Sequence, residues 1–179
     1  MISSVASADM GIEVQNSVRW DLSDTESEYY IRLDTSPKNR KLFVAQNIDV
    51  MPFVTAKYHF QQSNFHRVAL GVEARLHLTD WLWFGNALAF ERYTTKPNAP
   101  EFIVTLDAEL PLVADTFWIY LHDEYFFDFR SEQGEENDLA IGVRYNINDR
   151  LRLQLGWWHV DRIHDFDTDM LEVMYIYRF

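Results

Sequence analysis

The chain has 179 residues, a formal net charge of −12, 47% hydrophobic and 16% aromatic residues, and no cysteine. That length makes one domain with a substantial core. The missing cysteines exclude a disulfide framework and thiolate metal sites, and the acidic balance excludes the concentrated basic face that a nucleic-acid partner needs. No run of about 18 apolar residues occurs, so a transmembrane helix is excluded as well. Lysine is confined to Lys38, Lys41, Lys57 and Lys96; a surface bathed in water normally carries more, so much of the exterior is expected to avoid water.

At the N-terminus, Val5-Ala6-Ser7-Ala8 before Asp9 has the small-residue character of a secretory cleavage site. Residues 1–8 are read as a signal-peptide remnant or a disordered tail, and 9–179 as the folded unit. From Gly11 onward the dominant pattern has period 2, the mark of strands with two unlike faces. Strands are expected over roughly 11–22, 28–35, 41–50 and 53–61, then with stricter alternation over 68–78. There Val68, Leu70, Val72, Ala74, Leu76 and Leu78 oppose Ala69, Gly71, Glu73, Arg75 and His77. After Thr79-Asp80, Leu82, Phe84, Leu88 and Phe90 oppose Gly85, Ala87, Ala89 and Glu91. Phe102 to Leu110 oppose Thr105, Asp107 and Glu109, and Phe117 to Phe129 oppose Tyr120, His122, Glu124 and Asp128. Leu139 to Ile147 oppose Ala140, Gly142, Arg144 and Asn146, and Leu151 to Trp157 oppose Arg152, Gln154, Gly156 and Trp158. In the final segment Leu171, Val173, Tyr175, Tyr177 and Phe179 oppose Glu172, Met174 and Arg178.

Connections are expected at 23–27, 36–40, 62–65, 94–100, 130–137, 148–150 and 162–169, with no helix and no linker. The fold class is therefore all-β: an antiparallel transmembrane β-barrel of 10–12 strands with short loops. Eleven segments are counted. Ten follow if 41–61 is one strand, since its alternation continues past Pro52, and twelve if the N-terminal region holds another. A soluble lipocalin-like binding barrel also alternates, with its apolar face inward. Two features favour the membrane. Glycine and alanine crowd the polar face among charges of both signs, which suits a narrow interior, and aromatics gather near strand ends, as interfacial girdles require.

Met170 to Phe179, ending in Phe179 with Tyr177, Tyr175 and Val173 at alternate positions, resembles the terminal strand of bacterial outer-membrane barrels. The resemblance implies recognition of Tyr175, Tyr177 and Phe179 by the barrel-assembly machinery, a place in the Gram-negative outer membrane, and contact with its lipid and lipopolysaccharide. Asp123-Glu124-Tyr125-Phe126, 138–147, Asn148-Asp149-Arg150 and Leu151 to Trp157 resemble an uncharacterised barrel family of unknown function, which has polar residues near His66-Arg67 and Glu91-Arg92-Tyr93. In style the chain is also similar to small oligosaccharide porins, whose twelve-stranded barrels are lined with arginine. It departs from them in being acidic and shorter.

The inner face is expected to carry Glu73, Arg75, His77, Glu91, Asp107, Glu109, His122, Glu124, Arg144, Arg152, Glu172 and Arg178 as lumen-lining residues. In a narrow barrel such charges must pair or cost several kcal/mol each. One reading is an ion-pair network that closes the lumen, leaving a structural barrel that engages an envelope protein; the other is a polar channel with a selective lining. An outer-membrane lipid-modifying enzyme would use His66, His77 or His122 with Glu73 or Glu124. Nearly all serines precede residue 64, however, and neither Gly-x-Ser-x-Gly nor His-Glu-x-x-His occurs, so no catalysis and no cofactor are expected. Asp165, Asp167 and Asp169 lack the glycine and closing glutamate of a calcium loop; they and Glu132 to Glu136 are read as solvated acidic loops. Asn16, Gln46, Asn86 and Asp123 fall on the nominal lipid face.

Overall fold

Alternation of bulky apolar and polar side chains gives each segment one face for hydrocarbon and one for a polar interior. A sheet of such strands removes its exposed edges by closing on itself. The computed structural model describes residues 10–22, 27–37, 47–60, 64–93, 98–113, 116–129, 133–163 and 167–179. They form ten antiparallel strands: β1 (Met10–Asp21), β2 (Ser27–Pro37), β3 (Ile48–His59), β4 (Asn64–His77), β5 (Leu82–Tyr93), β6 (Ala99–Val113), β7 (Phe117–Asp128), β8 (Gln133–Asn146), β9 (Leu151–Arg162) and β10 (Thr168–Arg178). Each pairs with its chain neighbour, and β1 pairs with β10 to close the barrel.

Among the described residues the count is ten: Ile48 to Val50 open β3, while 41–46, Gln46 included, lie outside the described residues, as do 1–8. Pro52 lies inside that strand. The β2–β3 ladder stops at Asp34↔Phe53, so the proline stands just past its last rung, where a missing N–H costs least. Several connections are shorter than the sequence suggests. β8 begins at Gln133 rather than after 137, β4 at Asn64 and β6 at Ala99, while β2 runs on to Pro37. Bulges account for part of this: Glu135 is an extra residue where the β7–β8 register shifts between Phe126 and Phe127, and His66 is one where Lys57↔Arg67 gives way to Tyr58↔Phe65.

The outer wall is apolar. Leu70, Leu88 and Phe90 are more than half exposed, as expected of side chains whose solvent is lipid. Rings collect at both rims. Phe117 and Tyr145 are 4.9 Å apart, and Tyr177 and Phe179 4.7 Å, at the end where β1 begins. Tyr58–Phe60 and Phe127–Phe129 lie at the opposite, loop-bearing end. Of the polar residues on this wall, Asn16 accepts a 2.6 Å hydrogen bond from the Tyr29 hydroxyl, which satisfies its oxygen within the wall. Asn86 and Asp123 are half-buried between apolar neighbours.

Candidate functional site: a charged lumen closed at one end

The small inner residues receive large ones. A Cβ on Gly71 would collide with the Phe53 ring, and one on Gly142 or Gly156 with Tyr120. Phe53 thus lies against Ala69, Ala87 and Ala89, with Phe126 and Ile103 in the same buried cluster. Tyr120 joins Ala140, Trp158 and Met170 in another. Two bulky side chains thereby cross a narrow lumen without straining the wall.

Charges fill the remaining space in pairs. Arg32 lies 2.8 Å from Asp34 and 2.5 Å from Glu73, and Arg75 lies 2.9 Å from Glu73. Arg144 and Arg152 converge on Glu109. Asp107 accepts a 2.9 Å hydrogen bond from Trp83 Nε1 and lies 2.7 Å from His122 Nδ1, while His122 Nε2 is 3.7 Å from Glu124. His77 is 2.7 Å from Asp49, and Arg178 2.7 Å from Glu13. Several guanidinium groups also stack on rings, with Arg19 3.6 Å from the Trp158 ring centre and Arg144 4.5 Å from that of Tyr120. Paired and hydrogen-bonded, these groups offset much of the cost of leaving water.

Between the pairs runs a cavity of about 450 Å³. Its rim carries Glu13, Asp34, Asp80 and Arg178, at the end where β1 begins and β10 ends; its inner limit is formed by Lys57, Arg67, Phe126 and Asp138. Beyond that limit a packed layer closes the loop end of the described barrel. Glu28, Glu91, Glu101 and Asp128 are all buried there. Arg67 lies 3.2 Å from Glu91, the Tyr93 hydroxyl bridges Glu91 and Glu101, and Lys57 sits between Glu28 and Glu136.

All twelve side chains named from the sequence point inward. Ten line the cavity; Glu91 and Glu172 are buried behind its wall. The structure adds Arg19, Arg32, Asp34, Lys57, Arg67, Glu101 and Asp138 to the same interior. Their signal was the same parity, in strands β1 to β4 and, for Glu101 and Asp138, just beyond the expected loops 94–100 and 130–137. The reading of Glu132 to Glu136 as a solvated loop is corrected at Glu136, which points inward and lies 3.2 Å from Arg162. The second acidic loop is corrected in part: Asp169 belongs to β10 and contacts His159 at 3.0 Å, Asp167 is exposed, and Asp165 lies outside the described residues. Tyr175, Tyr177 and Phe179 lie on the outer face.

One inward serine escaped the sequence reading. Ser17 is buried, but its Oγ has no hydrogen-bond partner, so no base activates it. His122 is held between two carboxylates with no nucleophile. Among the described residues no group of three or more candidate ligands could hold a metal ion.

No family model and no curated protein matches the chain. Solved structures do. The chain is similar to the KdgM porin, solved in complex with disordered oligogalacturonate, at 10% identity over 94% of this chain and 99% of the porin, with a TM-score of 0.54. It is similar to the NanC porin at 8% identity over 93% and 98%, with a TM-score of 0.57. An outer-membrane channel from Pseudomonas putida F1 matches at 8% identity over 95% and 94%, with a TM-score of 0.53. At such identities the likeness is one of fold: this chain is built as outer-membrane β-barrels are.

Proposed function

We propose that this barrel resides in a bacterial outer membrane and acts as a narrow passive channel for small polar or ionic solutes, with its loop end constricted at rest. The observation that carries the reading is the charged cavity, which penetrates from the rim at Glu13 and Arg178 to Lys57 and Arg67. The shared fold with two porins and a channel supports it. Three of the four connections at the open rim, 78–81, 114–116 and 147–150, are three or four residues long, as periplasmic turns are, while 38–47 between β2 and β3 is longer. Among the described residues of the constricting layer, Glu28, Glu91, Glu101, Asp128 and Glu136 outnumber Arg19, Lys57, Arg67 and Arg162, which favours cations over anions.

Planar-bilayer recording of the refolded protein tests this. Small cation-favouring steps are expected, with selectivity weakened by Glu124→Gln and strengthened by Arg144→Gln. Silence from a folded, heat-modifiable barrel would favour a second reading, for which the complete burial of Glu91, Glu101 and Asp128 speaks: a closed structural barrel that binds another envelope component. Catalysis has no place in either reading, and the partners expected in both are outer-membrane lipid, lipopolysaccharide and the barrel-assembly machinery.

A further inference from the structure

Most carboxylates on the cavity wall have a cation. Arg32 and Arg75 hold Glu73, Arg144 and Arg152 share Glu109, and His122 holds Asp107. Asp138 is left over. It is 1% exposed, its Oδ1 has no hydrogen-bond partner, and it belongs to the cavity wall. The β7–β8 register sets it directly opposite Glu124, another wall residue. Side chains paired this way have Cβ atoms about 5 Å apart.

Nearby cations are already engaged. Arg19 lies 3.1 Å from Glu28 and 2.9 Å from Glu172. Lys57 lies 3.8 Å from Glu28 and 4.0 Å from Glu136. His122 is 3.7 Å from Glu124 but only 2.7 Å from Asp107. A buried carboxylate with no ion pair among the described residues, set beside the half-buried Glu124, is unfavourable.

We propose that the inner limit of the cavity binds a small organic ammonium ion, its nitrogen seated between Asp138 and Glu124. An ammonium group brings three N–H donors and one positive charge, which suits the Asp138 Oδ1 that no hydrogen bond satisfies and a Glu124 whose imidazole lies nearer to Asp107. Two carboxylates are too few for the six to eight oxygens that calcium takes. The rings of Tyr30 and Phe126 on the same wall offer apolar surface to an alkyl tail. The site needs the cavity to admit water and solute from the open rim, as the channel reading does, but it does not need the barrel to conduct.

Calorimetric titration of the detergent-folded protein with n-butylammonium chloride tests the proposal. Saturable one-to-one binding is expected, weakened about tenfold or more by Asp138→Asn and by Glu124→Gln, and unchanged by Asp167→Asn, which is exposed in the connection before β10 at the opposite end from the cavity mouth. If Asp138→Asn fails to fold, judged by heat-modifiability, the Glu124→Gln titration decides. Absence of saturable binding, affinity in the Asp138 and Glu124 variants equal to that of the unaltered protein, or equal displacement by sodium chloride at matched ionic strength would overturn the proposal. So would tighter binding of magnesium at the same residues. Butylammonium binding by a barrel that is silent in bilayers would remove the channel reading alone, and conduction without binding would remove this inference alone.

Discussion

Arg19 and Glu172 face each other across the seam where β1 meets β10, with Nε 2.9 Å from Oε1 and both side chains enclosed. Glu172 also accepts hydrogen bonds from Gln154 Nε2 at 2.8 Å and Trp158 Nε1 at 2.9 Å, and Arg19 donates to Glu28 at 3.1 Å. One guanidinium therefore ties β1 to β2 and β10 at the point of closure. Arg19→Met should destabilise the barrel by about 3–5 kcal/mol, because it leaves Glu172 and Glu28 buried beside a lost cation. The Arg19→Met, Glu172→Met double variant should lose clearly less than the sum of the two single losses. Urea unfolding in lipid vesicles measures both, and additive losses would mean that the two residues do not act as a pair.

The contact between Tyr120 and Gly156 gives a second test. A methyl at position 156 meets the Tyr120 hydroxyl first, whereas one at position 142 also meets the backbone of Leu155 and Gly156. Gly156→Ala should cost about 1–3 kcal/mol of stability and be partly rescued by Tyr120→Leu. Gly142→Ala should not be rescued, since its obstacle is the neighbouring strand. Equal rescue at both glycines would mean that Tyr120 does not set the spacing there.

Much of this architecture was legible in the sequence, and the limits of that reading have physical causes. Period 2 fixes which face each residue occupies, so the parity of Glu73, Asp107, Arg144 and Glu172 sufficed to place them inside. Strand ends were harder, because a bulge at Glu135 or His66 interrupts the alternation where polar residues already suggest a loop. That cost the reading Glu136. Pairing was beyond it altogether. Which carboxylate meets which arginine depends on register across strands distant in the chain, as with Arg32 and Glu73, and that register leaves no local signature. The same holds for the layer that closes one end: every member is an unremarkable inward charge until the strands are aligned.

The outward, edge-to-face pair Tyr177 and Phe179 bears on assembly. If Phe179 is part of an assembly signal, Phe179→Ala should lower the amount of folded barrel in the outer membrane of living cells. Spontaneous refolding of the purified variant into detergent should be nearly unaffected, because the ring is 64% exposed on the outer rim and supports little interior packing. Heat-modifiability assays on membrane fractions and on refolded protein separate the two effects. Equal losses in both would make the residue a matter of stability.

Asp123 is the seventh of the twelve residues of β7 and lies on its outer face, paired across the ladders with Leu106 and Leu139. Its place midway along the strand brings this position near mid-bilayer, where a carboxylate in contact with hydrocarbon is unfavourable, though less so than arginine or lysine. Leucine there would extend the surrounding apolar wall without changing the lumen. Asp123→Leu should therefore stabilise the isolated barrel in lipid vesicles by about 1–2 kcal/mol, read from the shift in the urea midpoint at constant m-value. Asn16 supplies the comparison. Its oxygen is satisfied by Tyr29 inside the same wall, so Asn16→Leu should gain less, because it strands that hydroxyl. An Asp123 variant that is no more stable than the parent chain would mean that the carboxylate does not face hydrocarbon.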